Sequence, residues 1–148
     1  NYSIWRQELS RDDLAYGEFG ENFTVEGMVD GDVHIGDLFN VGGAVVEITH
    51  GRIPCHKLAI RFGDPGFPKL FLKSLRTGFF LRVLEEGYVG AGDTFRRLAV
   101  GPERITVKEA VDLLHGTAVD PDRLAALAGI SALALSWRKR AENKLARP

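Results

Sequence analysis

The apolar residues of this chain change their spacing once, at about Pro102. From Phe23 to about Leu98 the apolar runs are short, rich in valine, isoleucine and phenylalanine, and interrupted by glycine. Such runs are typical of strands joined by tight turns. After Pro102 the apolar residues recur with the helical period of about 3.6 residues. We therefore expect a mainly β part, in which few helices fit, followed by a short helical tail.

Two segments are the strongest strand predictions, Val41–Thr49 and Phe79–Leu84. Both are rich in β-branched or aromatic residues, and both are bounded by turn residues. Glycine occupies 17 of the 148 positions, which exceeds the usual share of about 7%. This excess indicates many tight turns or close approaches of the backbone.

A weak internal repeat points to two similar turns. The segment Gly31–Phe39 aligns with Gly87–Phe95, and five of the nine positions match. Each copy contains a Gly-Asp pair. Glycine accepts a positive φ and aspartate hydrogen-bonds its own backbone, so we predict that Asp37 and Asp93 close turns that lead into strands rather than bind a ligand.

Three short helices fit the part of the chain after Pro102. The first begins at Thr106, which forms a capping box with Glu109. The second begins at Asp120, because the proline that follows it suits the first helical position. The third begins at Ser131. Helices this short are marginal in isolation, so they must pack on each other or on the strand-rich part.

The length and charge of the chain exclude several classes of protein. At roughly 100 to 200 residues per domain, a chain of 148 residues forms one domain, or one domain with a small appendage. The 19 lysines and arginines nearly balance the 20 aspartates and glutamates, so the net charge of −1 offers no general attraction to nucleic acid. We expect the basic run Arg138–Arg140 to be a solvated helix end.

Cysteine and hydropathy patterns indicate the compartment. A single cysteine excludes an internal disulfide. No apolar run approaches the 18 or so residues that a membrane-spanning helix needs, and the first residues lack the pattern of a signal peptide. We therefore expect a cytoplasmic protein that does not bind a membrane.

The densest group of chemically capable residues is Arg52-Ile53-Pro54-Cys55-His56-Lys57. Three cationic or potentially cationic side chains in it can stabilise a thiolate at Cys55, which would then serve as a nucleophile, a sulfur carrier or a ligand of a soft metal. The alternative is that Cys55 is a small buried apolar residue and that its basic neighbours point to solvent.

A second cationic set comprises Lys69, Lys73, Arg76 and Arg82. Arginine suits the bidentate binding of phosphate, but charges at a strand edge also discourage aggregation. The glycine-flanked polar loop Gly17–Thr24 is either a simple turn or part of a site. The sequence has no phosphate-binding lysine loop, nucleophile elbow or dinucleotide fingerprint, so the common nucleotide-binding and hydrolase classes have no support.

Taken together, several segments resemble the MOSC family, the molybdenum cofactor sulfurase C-terminal domains. In chain order they are 19–25, 35–37, 52–58, 76–83 and 87–93. The Arg-x-Pro-Cys-x-Lys segment around Cys55 is the most specific of them. The sequence from Ile105 to about Arg140 resembles the three-helix domain of the bacterial YiiM-like branch.

The resemblance implies an irregular, closed β-barrel over residues 1–102, followed by a small three-helix domain over residues 103–148. In members of the family several tens of residues precede the position of Tyr2, so we expect either that part of the barrel and of its pocket lies outside this sequence or that the barrel is unusual. Gly51 stands where related sequences often have proline, which loosens the turn before Arg52.

By the same resemblance, a cleft of the barrel holds a molybdenum–molybdopterin cofactor, and Cys55 supplies a thiolate to its metal. Glu21, Asn22 and Thr24 fall in the loop that faces the cofactor. Four basic residues are the counterparts of its anionic groups: Arg52, Lys57, Arg76 and Arg82. Domains of this family also occur fused to pyridoxal-phosphate desulfurases, but no lysine here stands out as a Schiff-base site.

The resemblance further implies an oxidoreductase that reduces small N-hydroxylated compounds, such as hydroxylaminopurines or amidoximes. Glu21 or a water would donate protons, and a separate reductase with a flavin or an iron-sulfur centre would supply electrons, because this chain has no flavin or nicotinamide fingerprint. Two alternatives stay open. Cys55 could carry a persulfide for sulfur transfer or cofactor delivery. The chain could also be a binding module whose tail recruits a partner through Trp137, although Trp137 more simply anchors a core.

Overall fold

The computed structural model describes residues 1–116 and 120–146. These residues belong to two compact units. The first unit comprises Asn1–Val29 and Ile53–Thr77, and the second comprises Asp30–Arg52 and the described residues from Gly78 onward. No helix in the described ranges is long and apolar enough to cross a bilayer. The division into a barrel and a helical domain after residue 102 stays a prediction.

The first unit is helical and has an aromatic core. Its helices are α1 (Tyr2–Leu9), α2 (His56–Phe62) and α3 (Phe67–Lys73). Trp5 of α1 stacks on Phe71 of α3, with ring centroids 5.5 Å apart, and Phe19 from the loop after α1 stacks on Phe62 and Phe71. Burial of these large rings is the main apolar driving force that so small a unit has.

These helices correct the prediction that few helices fit before Leu98, because α2 and α3 both lie in that segment. Leu58 and Phe62 are four residues apart, and so are Phe67 and Phe71, which places each pair on one face of a helix. In length and composition both segments resemble short strands, so only this spacing distinguishes them. With three helices here and three more below, the helices form much more than a tail.

The second unit contains an open antiparallel sheet. Its strands are β1 (Leu38–Val41), β2 (Ala44–Gly51), β3 (Phe79–Glu85) and β4 (Arg96–Ala99). The strand order is β3-β2-β1-β4, so β3 and β4 are the two edges and do not pair with each other within the described residues. The prediction of a closed barrel is therefore wrong for this part of the chain, because closure requires the edges to meet and four strands are too few to enclose a core.

The two strand predictions had different outcomes. Phe79–Leu84 is confirmed as β3, whereas Val41–Thr49 contains a hairpin turn and not a single strand. The turn consists of Gly42 and Gly43, between β1 and β2. Gly42 has a φ of 54°, a left-handed conformation that tight hairpin turns need and that glycine adopts freely.

Gly43 and Gly87 lie backbone against backbone. A Cβ atom at Gly87 would overlap the carbonyl group of Gly43. The amide of Gly43 also donates a hydrogen bond to the carbonyl oxygen of Tyr88 (2.9 Å). Gly87 is exposed, yet no larger residue fits there because the obstacle is main chain. This contact fixes the segment after β3 against the β1–β2 turn.

The two Gly-Asp segments form the same turn, as predicted. Asp37 accepts a hydrogen bond from the amide of His34 (3.0 Å), and Asp93 accepts one from the amide of Gly90 (2.8 Å), in each case three residues earlier. The chain then enters β1 after the first turn and β4 after the second, and these strands pair with each other. Asp37 is fully buried and also accepts from the amide of Gly101 (2.8 Å), whereas Asp93 is exposed.

We expect Asp37→Ala to lower the free energy of unfolding by about 3 kcal/mol, because it leaves two amide donors without their acceptor in a buried position. Asp93→Ala is the matched control, since it removes the same turn hydrogen bond at an exposed position, and its loss should be clearly smaller. Urea unfolding followed by tryptophan fluorescence measures both. Equal losses would contradict the role assigned to burial.

Three helices complete the second unit: α4 (Val107–His115), α5 (Pro121–Gly129) and α6 (Leu135–Leu145). The predicted starts of α4 and α5 are confirmed. Thr106 accepts a hydrogen bond from the amide of Glu109 (3.0 Å). Asp120 accepts from the amides of Asp122 and Arg123 (both 3.0 Å). Each cap satisfies amides that the first turn of a helix leaves without partners.

The third predicted helix start is wrong. α6 begins at Leu135 rather than at Ser131, because the chain turns first and the side chain of Arg138 binds two carbonyl oxygens of that turn (2.8 and 3.3 Å). Lys144 likewise binds two carbonyl oxygens at the end of α4 (2.8 and 3.3 Å). Two basic residues of α6, Arg138 and Lys144, therefore bind backbone carbonyl groups in the turn before α6 and at the end of α4.

Trp137 is a buried core anchor, as predicted, and it packs against two histidines. Its ring centroid lies 5.5 Å from that of His50 on β2 and 6.1 Å from that of His115 on α4. Burial lowers the pKa of both histidines, and nearby cations of β3 and α6 lower it further. Both imidazoles are therefore neutral in the folded chain near neutral pH.

We expect the free energy of unfolding to fall as the pH drops below about 6.5, the ordinary pKa of histidine. The unfolded chain takes up protons at that pKa, whereas folded His50 and His115 take them up only at lower pH. The free energy of unfolding therefore falls by at most about 1.4 kcal/mol for each histidine per pH unit. Urea midpoints between about pH 5 and pH 7.5 measure the slope. The double variant His50→Gln/His115→Gln should flatten it, and an unchanged slope would exclude these histidines as its source.

Candidate functional site

The loop that follows β2 presents the only thiol of the chain at the surface. Cys55 is exposed and occupies the N-cap position of α2 in an extended conformation (φ −113°, ψ 173°). Leu58, three residues later, is buried in the aromatic core of the first unit and so anchors α2. The neighbouring His56 and Lys57 are exposed. The alternative that Cys55 is a buried apolar residue is therefore wrong.

We expect Cys55 to react with a coloured disulfide reagent in the native protein, because no unfolding is needed to reach the sulfur. The native rate should lie within about tenfold of the rate in urea. Absorbance of the released thiol measures both rates, and Cys55→Ser provides the blank. A thiol that reacts only after denaturation would show that the loop covers it in solution.

Glu21 is the centre of a hydrogen-bonded network that shapes the polar loop after α1. Its Oε1 atom accepts hydrogen bonds from the hydroxyl of Tyr2 (2.5 Å), the amide of Gly17 (2.9 Å) and the hydroxyl of Thr24 (2.9 Å). The hydroxyl of Tyr2 in turn accepts from the amide of Glu18 (3.1 Å). The loop is thus closed on α1 through one carboxylate oxygen.

This network favours the ionised form of Glu21. Burial acts to raise the pKa of the carboxyl group, but the hydrogen bonds from Tyr2, from backbone amides and from Thr24 outweigh burial, and the pKa lies below its usual value. Burial, together with the nearby carboxylate, raises the pKa of Tyr2 to about 12. The second oxygen of Glu21, Oε2, is buried and has no hydrogen-bond partner among the described residues.

Arg76 is held inside the first unit. Its Nη2 atom lies 2.7 and 2.6 Å from the two carboxylate oxygens of Glu8. The guanidinium carbon lies 4.9 Å from the centre of the Trp5 ring, within the range of a cation–π contact. The Nε atom is buried and lacks a partner in the described part of the chain. Residues Glu8 and Trp5 of α1 therefore bind the guanidinium group of Arg76, and its Nε–H donates no hydrogen bond within the described residues.

The second unit carries the other two arginines of the predicted site. Arg82 on β3 donates hydrogen bonds to Glu47 (3.1 Å) and to the carbonyl oxygen of Ala132 (3.3 Å). The amide of Arg52 donates to the carbonyl oxygen of Gly78 (2.9 Å), and Arg52 is partly buried. The ion pair with Glu47 offsets the charge that Arg82 could offer to an anion.

Of the predicted site residues, the structure joins Glu21 and Thr24 directly, and Asn22 between them is exposed. The sequence analysis missed Tyr2, because 19 residues separate it from Glu21 and no local pattern links the two. One signal could have found it. A tyrosine whose ring packs among other aromatic residues usually needs a partner for its hydroxyl, and Glu21 lies in the nearest polar loop.

Comparison with known proteins supplies the family. The model of the MOSC domain matches residues 1–96. The chain belongs to the MOSC family. The model of the YiiM-like, 3-alpha helix domain matches residues 105–147, which include the whole of α4, α5 and α6. The exposed thiol and the Glu21 network both lie in the part that matches the MOSC domain, and the expected YiiM-like branch is confirmed.

Three curated relatives are longer than this chain. YflK of Bacillus subtilis is 37% identical over 138 residues, which cover 93% of this chain and 62% of YflK. YiiM of Escherichia coli is 26% identical over 146 residues, which cover 97% of this chain and 65% of YiiM. The chain thus spans less than two thirds of the length of either. A protein of Gibberella moniliformis named Reductase is 37% identical over 101 residues, which cover 66% of this chain and 18% of that protein.

A solved structure shares the fold of this MOSC chain. The crystal structure of YiiM from Geobacillus stearothermophilus matches it with a TM-score of 0.93 at 29% sequence identity, covering 98% of this chain and 74% of that one. The small antiparallel sheet and the helices described above are therefore a YiiM-like fold.

Proposed function

We propose that this chain binds a molybdenum–molybdopterin cofactor through Cys55 and serves the reduction of N-hydroxylated compounds. The observation that carries the proposal is the exposed thiol at the N-cap of α2, within the segment that matches the MOSC domain. A thiolate is a suitable protein ligand for a soft, redox-active metal. The name of the longer relative, Reductase, supports the class of reaction.

The side chains of the first unit fit such a cofactor. No group of three or more His, Cys, Asp and Glu side chains within residues 1–116 and 120–146 could hold a metal ion. A metal at Cys55 would therefore bring its other ligands with it, as a metal held by an organic cofactor does. Lys57 is exposed two residues after Cys55 and offers a cation to a phosphate group, whereas Arg76 is already paired with Glu8.

When bound, the cofactor supplies a centre that accepts and passes on two electrons. The reaction consumes an N–OH group, two electrons and two protons, and it yields an N–H group and water. In the proposal, Cys55 holds the metal and Lys57 offsets negative charge on the cofactor, while Arg76, which is paired with Glu8, is a weaker candidate for that role. Asn22 and Thr24 belong to the loop beside it, and Arg52 and Arg82 are further candidates for anionic groups.

Proton delivery is the less direct part of the proposal. The proton donor implied by the family resemblance is either Glu21 or a water. Because the carboxylate of Glu21 has a lowered pKa, it must first receive a proton before it can pass one to a substrate. A separate protein with a flavin or an iron-sulfur centre supplies the electrons.

We expect the chain purified from a cofactor-making host to contain near-stoichiometric molybdenum and pterin. The molybdenum content of Cys55→Ala should be at least about tenfold lower than that of the wild-type chain. Ile53→Ala is the matched control, because Ile53 is exposed two residues before Cys55 and carries no charged or metal-binding group. Elemental mass spectrometry and the fluorescence of the oxidised, released pterin measure the two contents. Equal molybdenum in the wild-type chain and in Cys55→Ala, or none in either folded protein, would refute the proposal.

The accessible thiol equally favours a second function, sulfur transfer. An exposed Cys55 can accept a persulfide and hand its sulfur to a metal centre elsewhere. Incubation with a cysteine desulfurase should then add about 32 Da, one sulfur atom, that thiols remove. A chain that takes up this sulfur and contains no molybdenum would be a carrier, whereas one that retains molybdenum through Cys55 and gains no sulfur would be the oxidoreductase.

A further inference from the structure

We propose that an exposed face of helices α2 and α3 docks the acidic electron-transfer protein that supplies the electrons. This α2–α3 face consists of Ile60, Arg61, Lys69, Leu70 and Lys73. The need for such a donor rests on the proposed function. None of the five residues is assigned to the cofactor, and the two lysines are the members of the second cationic set that the proposed cofactor site leaves unused.

The packing of the two helices determines which residues they expose. Leu58 and Phe62 of α2 share one helix face, and so do Phe67 and Phe71 of α3. All four contact the same aromatic core, and the rings of Phe62 and Phe67 stack with centroids 4.0 Å apart. The opposite faces of both helices therefore point away from that core.

The α2–α3 face combines apolar and cationic side chains. Ile60 is 75% exposed and Leu70 is 47% exposed, and the neighbouring Arg61, Lys69 and Lys73 are exposed as well. One exposed apolar residue is ordinary on a protein surface. Two apolar residues among three cations have the composition of a small protein interface, in which an apolar centre is surrounded by a polar rim.

The charge of this face fits an acidic protein. Residues 56–73 contain four lysines and arginines but a single acidic residue, Asp64. Arg61 is paired with Glu18 (2.9 Å), whereas Lys69 and Lys73 form no ion pair with another described residue. The positive charge is local, since the whole chain has a net charge of −1. It therefore favours a compact acidic partner over an extended polyanion.

The α2–α3 face lies close to the proposed metal ligand. Cys55 is the N-cap of α2. At about 1.5 Å of rise per residue, Ile60 and Arg61 lie about 7 to 9 Å from it along the helix axis. Electron transfer slows steeply with distance, so a donor must dock near the metal. A partner on this face would do so and would leave the loop of Cys55 to the cofactor.

The chemistry of the reaction identifies the class of partner. Reduction of an N–OH group to N–H and water consumes two electrons and two protons. The protons come from solvent, and the electrons come from a small acidic protein with an iron-sulfur or flavin centre. Two molecules of a one-electron donor are oxidised in each turnover. The face contacts neither substrate nor reacting atoms, so it affects only the docking of the donor.

Direct binding of a defined donor tests the proposal without any activity. The probe is an acidic [2Fe–2S] ferredoxin, titrated calorimetrically into the full chain. We expect binding to weaken when the salt concentration rises from about 20 to 200 mM. Lys69→Glu/Lys73→Glu should weaken it by about tenfold or more. Lys139→Glu/Arg140→Glu is the matched control, since it reverses the same number of charges at exposed positions of α6, and it should bind like the wild-type chain.

Activity of the cofactor-loaded chain gives a second measurement. In the lysine variant the KM for reduced ferredoxin should rise about tenfold or more, while kcat at saturating ferredoxin stays unchanged. The rate with a reduced viologen, a small donor that needs no docking face, should also stay unchanged. A lower viologen rate in this variant would indicate damage to the site itself and would contradict the proposed docking role. Urea midpoints of all variants establish folding.

Three outcomes overturn the proposal. They are equal ferredoxin binding by the lysine variant and its matched control, no ferredoxin binding by the wild-type chain at low salt, and tighter binding of a basic cytochrome c, anionic vesicles or duplex DNA than of ferredoxin. Molybdenum held through Cys55 and activity with viologen alongside any of them would leave the proposed function standing. A chain without molybdenum that still binds ferredoxin through the two lysines would refute only the proposed function.

Discussion

The buried carboxylate of Asp37 is the interaction on which the second unit depends. It accepts hydrogen bonds from the amides of His34 and Gly101, and Arg97 of β4 lies 3.3 Å from it. The backbone carbonyl of Asp37 also accepts from the amide of Ile48 in β2 (3.0 Å). A buried charge is costly unless all its bonds are made, so the turn before β1, strand β2 and the chain around β4 must assemble together.

The parts of the fold that could be predicted from the sequence are those set by local chemistry. The Gly-Asp turns and the caps at Thr106 and Asp120 depend on residues within three positions of each other, and they were identified. The open sheet was not, because the separation of β3 from β4 is decided by pairing with β1 and β2. The helices α2 and α3 were missed because seven residues are too few for a period of about 3.6 to repeat clearly.

In the candidate site, too, some residues could be predicted from the sequence and others could not. Cys55 and the loop of Glu21 lie in segments whose residues resemble the family, so the sequence alone singled them out. What surrounds them could not be predicted, because it comes from far along the chain. Arg76 is paired with Glu8, 68 residues away, and Arg82 with Glu47, 35 residues away. Sequence reasoning treated both arginines as available cations, whereas each already has a carboxylate partner.

The contact between Gly43 and Gly87 has a consequence for how this surface can evolve. Gly87 is open to solvent on one side, and a surface position normally accepts most side chains with little loss of stability. Here the main chain of Gly43 occupies the space of any Cβ. Natural variation at Gly87 should therefore be as restricted as in a core, and an attempt to vary or label this face would have to begin at Tyr88, the fully exposed residue beside it.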